Sequence, residues 1–463
     1  MPANQVLTAA QTRAAEAALI ARGTSVDDLM QRAGRGAAEW VWRIAAGRSV
    51  TVLCGPGNNG GDGYVIAEAL RERGGAVQVV MAAEPASAAA KVARGLYQGA
   101  VLPADAALQG EVLVDCLFGI GLTRPLSAHD AALLTRLAAG HRQVIAVDLP
   151  SGVDANLGQA LNPGLPANDL TLALGAWKFA HYLLPATTRM GALQLVAIDL
   201  AAVEGAAKVI ARPWFTAPAA DAHKYTRGLL AVVGGAMPGA ALLAANAAQH
   251  AGAGYVKLLS HAAAPPPDLV CDLGPLGEAL SDTRLNAVLI GTGLGRDAPA
   301  RAAMAQVLAR DVPTVLDADA LLALTPALLA ERSAPLIITP HGGELIALEQ
   351  AFGLPGAGTK PNRALALARA GSMVVVAKGA DTVVAGPGGE VALGQRASSW
   401  LSTAGTGDVL AGVVASRLAT GVDPFTAACE GVWLHSEAAR RCPPPFTAGE
   451  LAAQVRSAYA ACL

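Results

Sequence analysis

Several things that this chain lacks narrow its reading. The six cysteines of its 463 residues (Cys54, Cys116, Cys271, Cys429, Cys442 and Cys462) are scattered, with no Cys-x-x-Cys pair. No histidines cluster at ligand spacing either. Both absences argue against structural zinc and against a disulfide framework, and favour idle thiols in a reducing cytosol. Aromatic residues make up only 4% while 53% are hydrophobic, so the cores must be aliphatic. Neither sign of charge dominates: Lys+Arg 34 against Asp+Glu 36 leaves a net charge of -2, unlike a nucleic-acid binder. The opening residues, MPANQVLTAAQTR, show no basic-then-apolar signal pattern, so a cytoplasmic location is expected. One uncharged run, Gly228 to Gln249, reaches 22 residues, the length of a membrane span. Gly234-Gly235 and Pro238-Gly239 split it, which predicts a buried strand, a loop and a helix, and no membrane partner.

What is abundant is glycine, 51 residues of it, as alternating strands and helices with tight turns require. Thr8 and Ser25 are positioned to cap two opening helices. Short β-branched runs then alternate with helical stretches at Val50–Cys54, Ala76–Met81, Val112–Cys116, Val144–Val147, Leu170–Leu174 and Leu193–Ile198. The rhythm predicts a parallel α/β sheet covered on both faces. The segment 212–221, RPWFTAPAAD, breaks it and reads as a linker. A second α/β pattern follows, ending in a hairpin at Gly386–Gly389 and helices from near Gly405, Pro424 and Ala448. Two domains are expected, 1–211 and 222–463, with no detectable sequence repeat between them.

In the second half the most informative stretch is STAGTGDVLAG, from Ser402 to Gly412. Gly405 and Gly407 precede an apolar helical run, leaving free N–H groups and a positive helix end beside Asp408. Phosphate oxygens suit that site, and Asp408 could take a proton from a hydroxyl as a phosphoryl group arrives. A helix cap with a stabilising first-turn charge explains the stretch equally well on its own. Four further strand ends favour the ligand reading: GTGLG from Gly291, DADAL from Asp317, TPHGGE from Thr339 and KGADT from Lys378. Together they make a crevice at one sheet edge.

In the first half the stretch GPGNNGGDG, from Gly55 to Gly63, follows a strand. It lacks the closing Gly-Lys-[Ser/Thr] of a Walker A loop and does not fit G-x-G-x-x-G. Later strand ends carry Asp115 followed by a glycine loop to Pro125, and Asp148, Ser151 and Asp154. Glycine loops offer N–H donors for a pyrophosphate, and Asn59, Asp115 and Ser151 offer hard oxygen donors for a simple cation.

These motifs in this order resemble the bifunctional NAD(P)H-hydrate repair enzymes over nearly the whole chain. LTAAQTRAAEAAL, LMQRAG and the Gly55–Gly63 stretch are similar to the N-terminal epimerase domain. HKYTRGLLAVVGG, GAGYVKL, GTGLG, DADAL, TPHGGE, KGADTVV and STAGTGDVLAG are similar to the C-terminal dehydratase domain. The resemblance implies a Rossmann-like three-layer α/β/α domain followed by a ribokinase-like α/β/α domain. It implies that Asn58, Asn59, Gly60, Gly61 and Asp62 hold the hydrated cofactor with Asp148 and the loop Gly119, Ile120, Gly121, Leu122, Thr123, Arg124 and Pro125. Asn59, Asp115 and Ser151 would bind K+. In the second domain Ala240, Gly293, His341 and Asp408 would contact the hydrate, while Lys378, Gly379, Ala380, Asp381, Thr382 and Gly407 would bind ADP with its Mg2+. Asp148 and Asp408 would be the catalytic pair, one in each domain. The substrates implied are NADHX and NADPHX, the hydrated cofactors, and the Ala-rich surfaces suit a homo-oligomer. Two positions depart from the family: Gly342 stands where proline is usual, and Gln31 where glutamate is common. The competing readings are a small-alcohol kinase carrying a nucleotide-binding regulatory module, and a first half that only senses nucleotide.

Overall fold

The computed structural model describes residues 4–106, 108–261 and 265–463. The first three residues of the expected N-terminal domain lie outside the described residues. The chain divides into two compact units, one ending at Ala207 and the other beginning at Lys208.

In the first unit, Thr8 and Ser25 each cap a helix, Ala9–Ala21 and Val26–Ala45, through reciprocal capping boxes with Gln11 and Asp28. Seven parallel strands follow. Across the sheet they run Val101–Pro103, Val77–Met81, Val50–Cys54, Gly110–Cys116, His141–Val147, Leu170–Leu174 and Ala192–Val196. Alternate side chains of one strand enter different cores. Val52 and Cys54 pack with Val41 and Ile66, whereas Leu53 packs with Leu113, Leu134 and Leu137. A strand buried on both faces is mostly apolar, as in VTVLC, whose one polar residue, Thr51, bonds the buried His141 ring at 2.9 Å. Each fully buried aliphatic side chain contributes about 1.5–3 kcal/mol. The chain builds outward from Val50–Cys54 in one direction, then returns to lay Gly110–Cys116 on its other side. That reversal leaves a crevice at the carboxyl ends of these two strands, where an open α/β sheet takes its ligand.

The second unit repeats the plan. Parallel strands run Val270–Cys271, Tyr255–Leu259, Leu229–Val233, Leu285–Ile290, Thr314–Leu316, Leu336–Ile338 and Val374–Ala377. The hairpin Val383–Ala385 and Val391–Leu393 continues the sheet antiparallel, as the glycines at 386–389 suggest. Lys208 and Val209 then pair with Ala392 and Leu393. Helices Pro238–Gln249 and Thr406–Ala419 cover Leu230, Val232 and Leu289 on one face. Helices Ala298–Leu308 and Lys360–Gly371 contact the strands Leu285–Ile290 and Val374–Ala377. The winding reverses between Leu229–Val233 and Leu285–Ile290, so this sheet too has a ligand crevice.

The run Gly228 to Gln249 is the expected strand, loop and helix, and no described helix is long and apolar enough to cross a membrane. Part of the segment read as a linker is packed. Phe215 stacks on Tyr459 with ring centroids 4.5 Å apart, and its N–H donates to the Cys462 carbonyl at 2.8 Å.

Candidate active sites

The glycine-rich stretch of the first unit is mostly helix. Its glycines read as a loop, but the helix begins at Asn58 and runs to Glu72. The reason is packing. A Cβ on Gly60 would lie 1.9 Å from the Gly55 carbonyl oxygen, and one on Gly55 would lie 1.9 Å from that of Leu117. Glycine here lets the first helical turn sit directly on the strand ends. Among the described residues no side chain caps that turn, and Gly57, Asn58 and Asn59 line the crevice.

The crevice opens into a cavity of about 660 Å³. Of the candidate residues, Asn58, Asn59, Asp62, Gly119, Ile120, Gly121, Leu122 and Asp148 line it. Gly60 and Gly61 are buried instead, and Thr123, Arg124 and Pro125 are exposed beyond its wall. Both polar atoms of the Asn59 amide are buried without a partner among the described residues. The other two candidate cation ligands bond each other: Asp115 accepts from Ser151 Oγ at 2.7 Å and Ser151 N–H at 3.0 Å, and from Leu117 N–H at 3.1 Å. Ser151 Oγ in turn accepts from Phe118 N–H at 2.8 Å, which fixes the loop ahead of Gly119. Burial pushes the Asp115 carboxyl up against the pull of these bonds.

Asp148 has a left-handed backbone, φ 67, uncommon outside glycine. Its carboxylate is paired with the ammonium of Lys178, which is 1% exposed and also donates to the Leu174 carbonyl at 2.7 Å. Ile120 N–H adds a bond at 3.2 Å. His181 holds the turn, its Nε2–H donating to the Asp148 carbonyl at 2.9 Å while Nδ1 accepts from Lys178 N–H at 2.8 Å. Burial pushes this imidazole down to about 4, so it is neutral. Asp62 lies in the same cavity, its carboxyl raised well above the usual range by burial and then by Asp148 and Glu16.

In the second unit Gly405, at φ 90, turns the chain into the helix Thr406–Ala419 with no side-chain cap, leaving first-turn N–H groups open. Buried His435, pushed down to about 4 by desolvation, bonds the Thr406 carbonyl at 2.9 Å and anchors this turn. Asp408 follows. Burial, and then Asp317, raise its carboxyl to about 6, while Lys378 pulls it down. Lys378 donates to Asp317 at 2.6 Å, and Asp317 also accepts from Thr339 Oγ1 at 2.6 Å. A Cβ on Gly407 would stand 3.6 Å from Lys378 Nζ, so Asp408, Gly407 and Lys378 form one cluster.

Around that cluster, Lys360 donates to the Lys378 carbonyl at 3.0 Å and to Asp381 at 2.6 Å, while Thr382 Oγ1 donates to the Gly379 carbonyl at 2.7 Å. Ala380 is exposed in this turn. His341 caps the helix Gly342–Ala351, its Nδ1 accepting from Gly343 and Glu344 N–H. Glu344 lies 3.9 Å from the Lys378 ammonium, which ties that helix to the cluster. Gly293 and Ala240 are neighbours, since a Cβ on Gly293 would meet that of Ala240 at 2.9 Å. Leu243, one turn on from Ala240, packs against Gly405.

Two family models match the chain: YjeF-related protein N-terminus over residues 26–180 and NAD(P)H-hydrate dehydratase over residues 230–459. The bifunctional NAD(P)H-hydrate repair enzyme Nnr of Mycobacterium leprae is 32% identical, covering 98% of this chain and 98% of its own. That of Salinibacter ruber is 34% identical over 94% of this chain and 92% of its own. The chain belongs to this family of bifunctional repair enzymes. Among solved structures, an ADP/ATP-dependent NAD(P)H-hydrate dehydratase from Bacillus subtilis is 28% identical, covering 54% of this chain and 99% of that one, with a TM-score of 0.48.

Sequence reasoning toward the repair family missed Lys178, Glu16 and Lys360, and left Asp317 outside its site. Lys178 sits in a two-residue strand, Trp177–Lys178, too short for any pattern. Asp317 carried a usable signal, since an aspartate directly after the strand Thr314–Leu316 stands at a carboxyl edge.

Proposed function

We propose that this chain repairs hydrated nicotinamide cofactors by two reactions. Residues up to 211 would interconvert the R and S epimers of NADHX and NADPHX, and residues from 222 would dehydrate the S epimer with ADP. The observation that carries the reading is coverage: the M. leprae repair enzyme aligns with 98% of this chain, so neither unit is left over.

In the dehydratase, Asp408 takes the proton of the C6 hydroxyl, whose oxygen attacks the terminal phosphorus of ADP as AMP leaves. Phosphate then departs from C6, the ring loses a C5 proton, and dihydronicotinamide returns. The open N–H groups at Gly407 and Asp408 suit the charge of the transferring group, and Lys378 stands beside it. A carboxyl raised to about 6 suits a base that works near neutrality. Mg2+ would enter on the ADP phosphates; no described cluster of three or more His, Cys, Asp or Glu could hold a metal. In the epimerase, Asn59 fits a K+ ion through its unpartnered amide oxygen, with Asp115 and Ser151 as further oxygen donors. Such an ion would supply fixed positive charge for an anionic dinucleotide.

Absorbance at 340 nm tests both reactions in one cuvette. Given mixed NADH-hydrate epimers and ADP or ATP, recovery beyond the S fraction requires both activities, and the faster nucleotide is the donor. Recovery stopping at the S fraction would remove the epimerase. No recovery with either nucleotide would remove the repair reading.

A further inference from the structure

The cavity of the first unit holds two carboxyl groups in opposite situations. Asp148 has a full set of partners: the Lys178 ammonium and the N–H groups of Ile120 and Leu174. The Asp62 carboxyl, one turn into the helix Asn58–Glu72, makes no hydrogen bond or ion pair among the described residues. Both line the same cavity. We infer that Asp62 is the general acid of the epimerisation and that Asp148 remains a carboxylate throughout, a fixed negative charge held by Lys178. The inference rests on the epimerase reading given above.

Epimerisation at C6 needs the hydroxyl to leave and return, and hydroxide leaves slowly unless it is protonated. A carboxylate locked to an ammonium is a poor source of that proton. The groups facing Asp62 can be named. Glu16 and Arg13 come from the helix Ala9–Ala21, Asp148 and Lys178 from across the cavity, and the thiols of Cys54 and Cys116, kept neutral by burial, from the strands beneath. Burial, Asp148 and Glu16 all keep the proton on Asp62, and only Lys178 opposes them. Glu16 is also raised, but Lys178 and Arg13 both pull it back.

The step balances without a further reactant. Asp62 gives its proton to the C6 oxygen, the C6–O bond breaks and its electron pair departs with water. The lone pair of the ring nitrogen closes a C6=N1 double bond, and the positive charge faces Asp148. Water adds to the opposite face, and the proton it releases passes through cavity water to the Asp62 carboxylate.

The test uses the full chain and R-enriched NADH hydrate without nucleotide, following R-to-S conversion by chromatography. Asp62→Asn should lower kcat about 10²–10⁴-fold with KM held within about twofold. Wild-type kcat should fall as pH rises through the Asp62 titration, and the variant should lack that limb. Dehydration of the pure S epimer by the same variant should be unchanged. A wild-type chain that does not interconvert the epimers would take the epimerase reading down and this inference with it. With an active wild type, three results overturn the inference alone: an unchanged kcat, a loss confined to KM, or transfer of both the loss and the pH limb to Glu16→Gln. Should Asp62→Asn not fold, a wild-type profile without the falling limb overturns it equally.

Discussion

The two units build their sites from the same parts. Each buries a lysine against an aspartate at a strand end, Lys178 on Asp148 and Lys378 on Asp317. Each places a second aspartate near the start of an uncapped helix entered through glycine, Asp408 in the first turn and Asp62 one turn in. The lysine neutralises one carboxylate and leaves the other to desolvation. What differs is depth. Asp62 is buried and its carboxyl is raised well above the usual range, whereas Asp408 is partly open to solvent and reaches only about 6. On the proposed chemistry the first must supply a proton and the second must accept one. Greater depth, reinforced at Asp62 by Asp148 and Glu16, therefore separates an acid from a base within one design.

The largest expected effect isolates the second site. Asp408→Asn should cut dehydration about 10³-fold or more while leaving epimerisation within about twofold, measured on pure S and R epimers respectively. Loss of both activities would break the comparison, because the two sites would then not be separable. Next comes the contrast between the lysines. Removing one partner of a buried pair strands a charge at a cost of about 3–5 kcal/mol, so Lys178→Met should destabilise its unit by about that much. The Lys378 side chain is 16% exposed against 1% for Lys178, so Lys378→Met should cost less, about 1–2 kcal/mol. Hydrogen exchange in the strands beside each pair measures the difference, and equal losses would contradict the argument from depth.

A smaller effect reads the base directly. Asp408 must be ionised to take a proton, so the dehydration rate should rise with pH through about 6. The sign for stability is the reverse. Its folded value lies above the ordinary value of roughly 3.9, so the fold favours the neutral acid. That contribution is fully present below the ordinary value and is lost as pH rises through about 6. Asp408→Asn should then be more stable than wild type at pH 8, by about 1 kcal/mol once discounted for solvent screening. A variant both inactive and less stable would mean that the carboxylate holds the structure together.

How legible this was in the sequence depended on local patterning. The continuous apolar strands, the capped opening helices, the hairpin at Gly386–Gly389 and the helix after Gly405 all carry short-range signals. The start of the helix at Asn58 did not, because glycines chosen for close approach look like glycines chosen for a loop. Three-residue strands such as Val101–Pro103 and Gln5–Leu7 are too short to show a period. Most of the candidate residues could be picked out from strand ends, where ligands gather. Lys178 and Lys360 could not, since a single lysine reads as a solvated charge until tertiary contact gives it a partner.

The smallest effect concerns the turn at Gly342, where the resemblance leads one to expect proline. Gly342 is the first residue of the helix Gly342–Ala351, and its N–H lies among the first-turn groups that have no intrahelical acceptor. A Cβ there would meet nothing within 4 Å. His341 before it is extended, φ -78 and ψ 173, the conformation that a following proline requires. Proline at a first helical position gives up no needed donor and narrows the unfolded ensemble. Gly342→Pro should therefore raise stability by about 0.4–1 kcal/mol in denaturant unfolding, with dehydration of the S epimer unchanged. The cap on Gly343 and Glu344 would stay in place, because it uses the His341 ring and not the replaced N–H. A loss of stability would show that the turn needs the freedom of glycine, and that His341 is held less firmly than its two bonds imply.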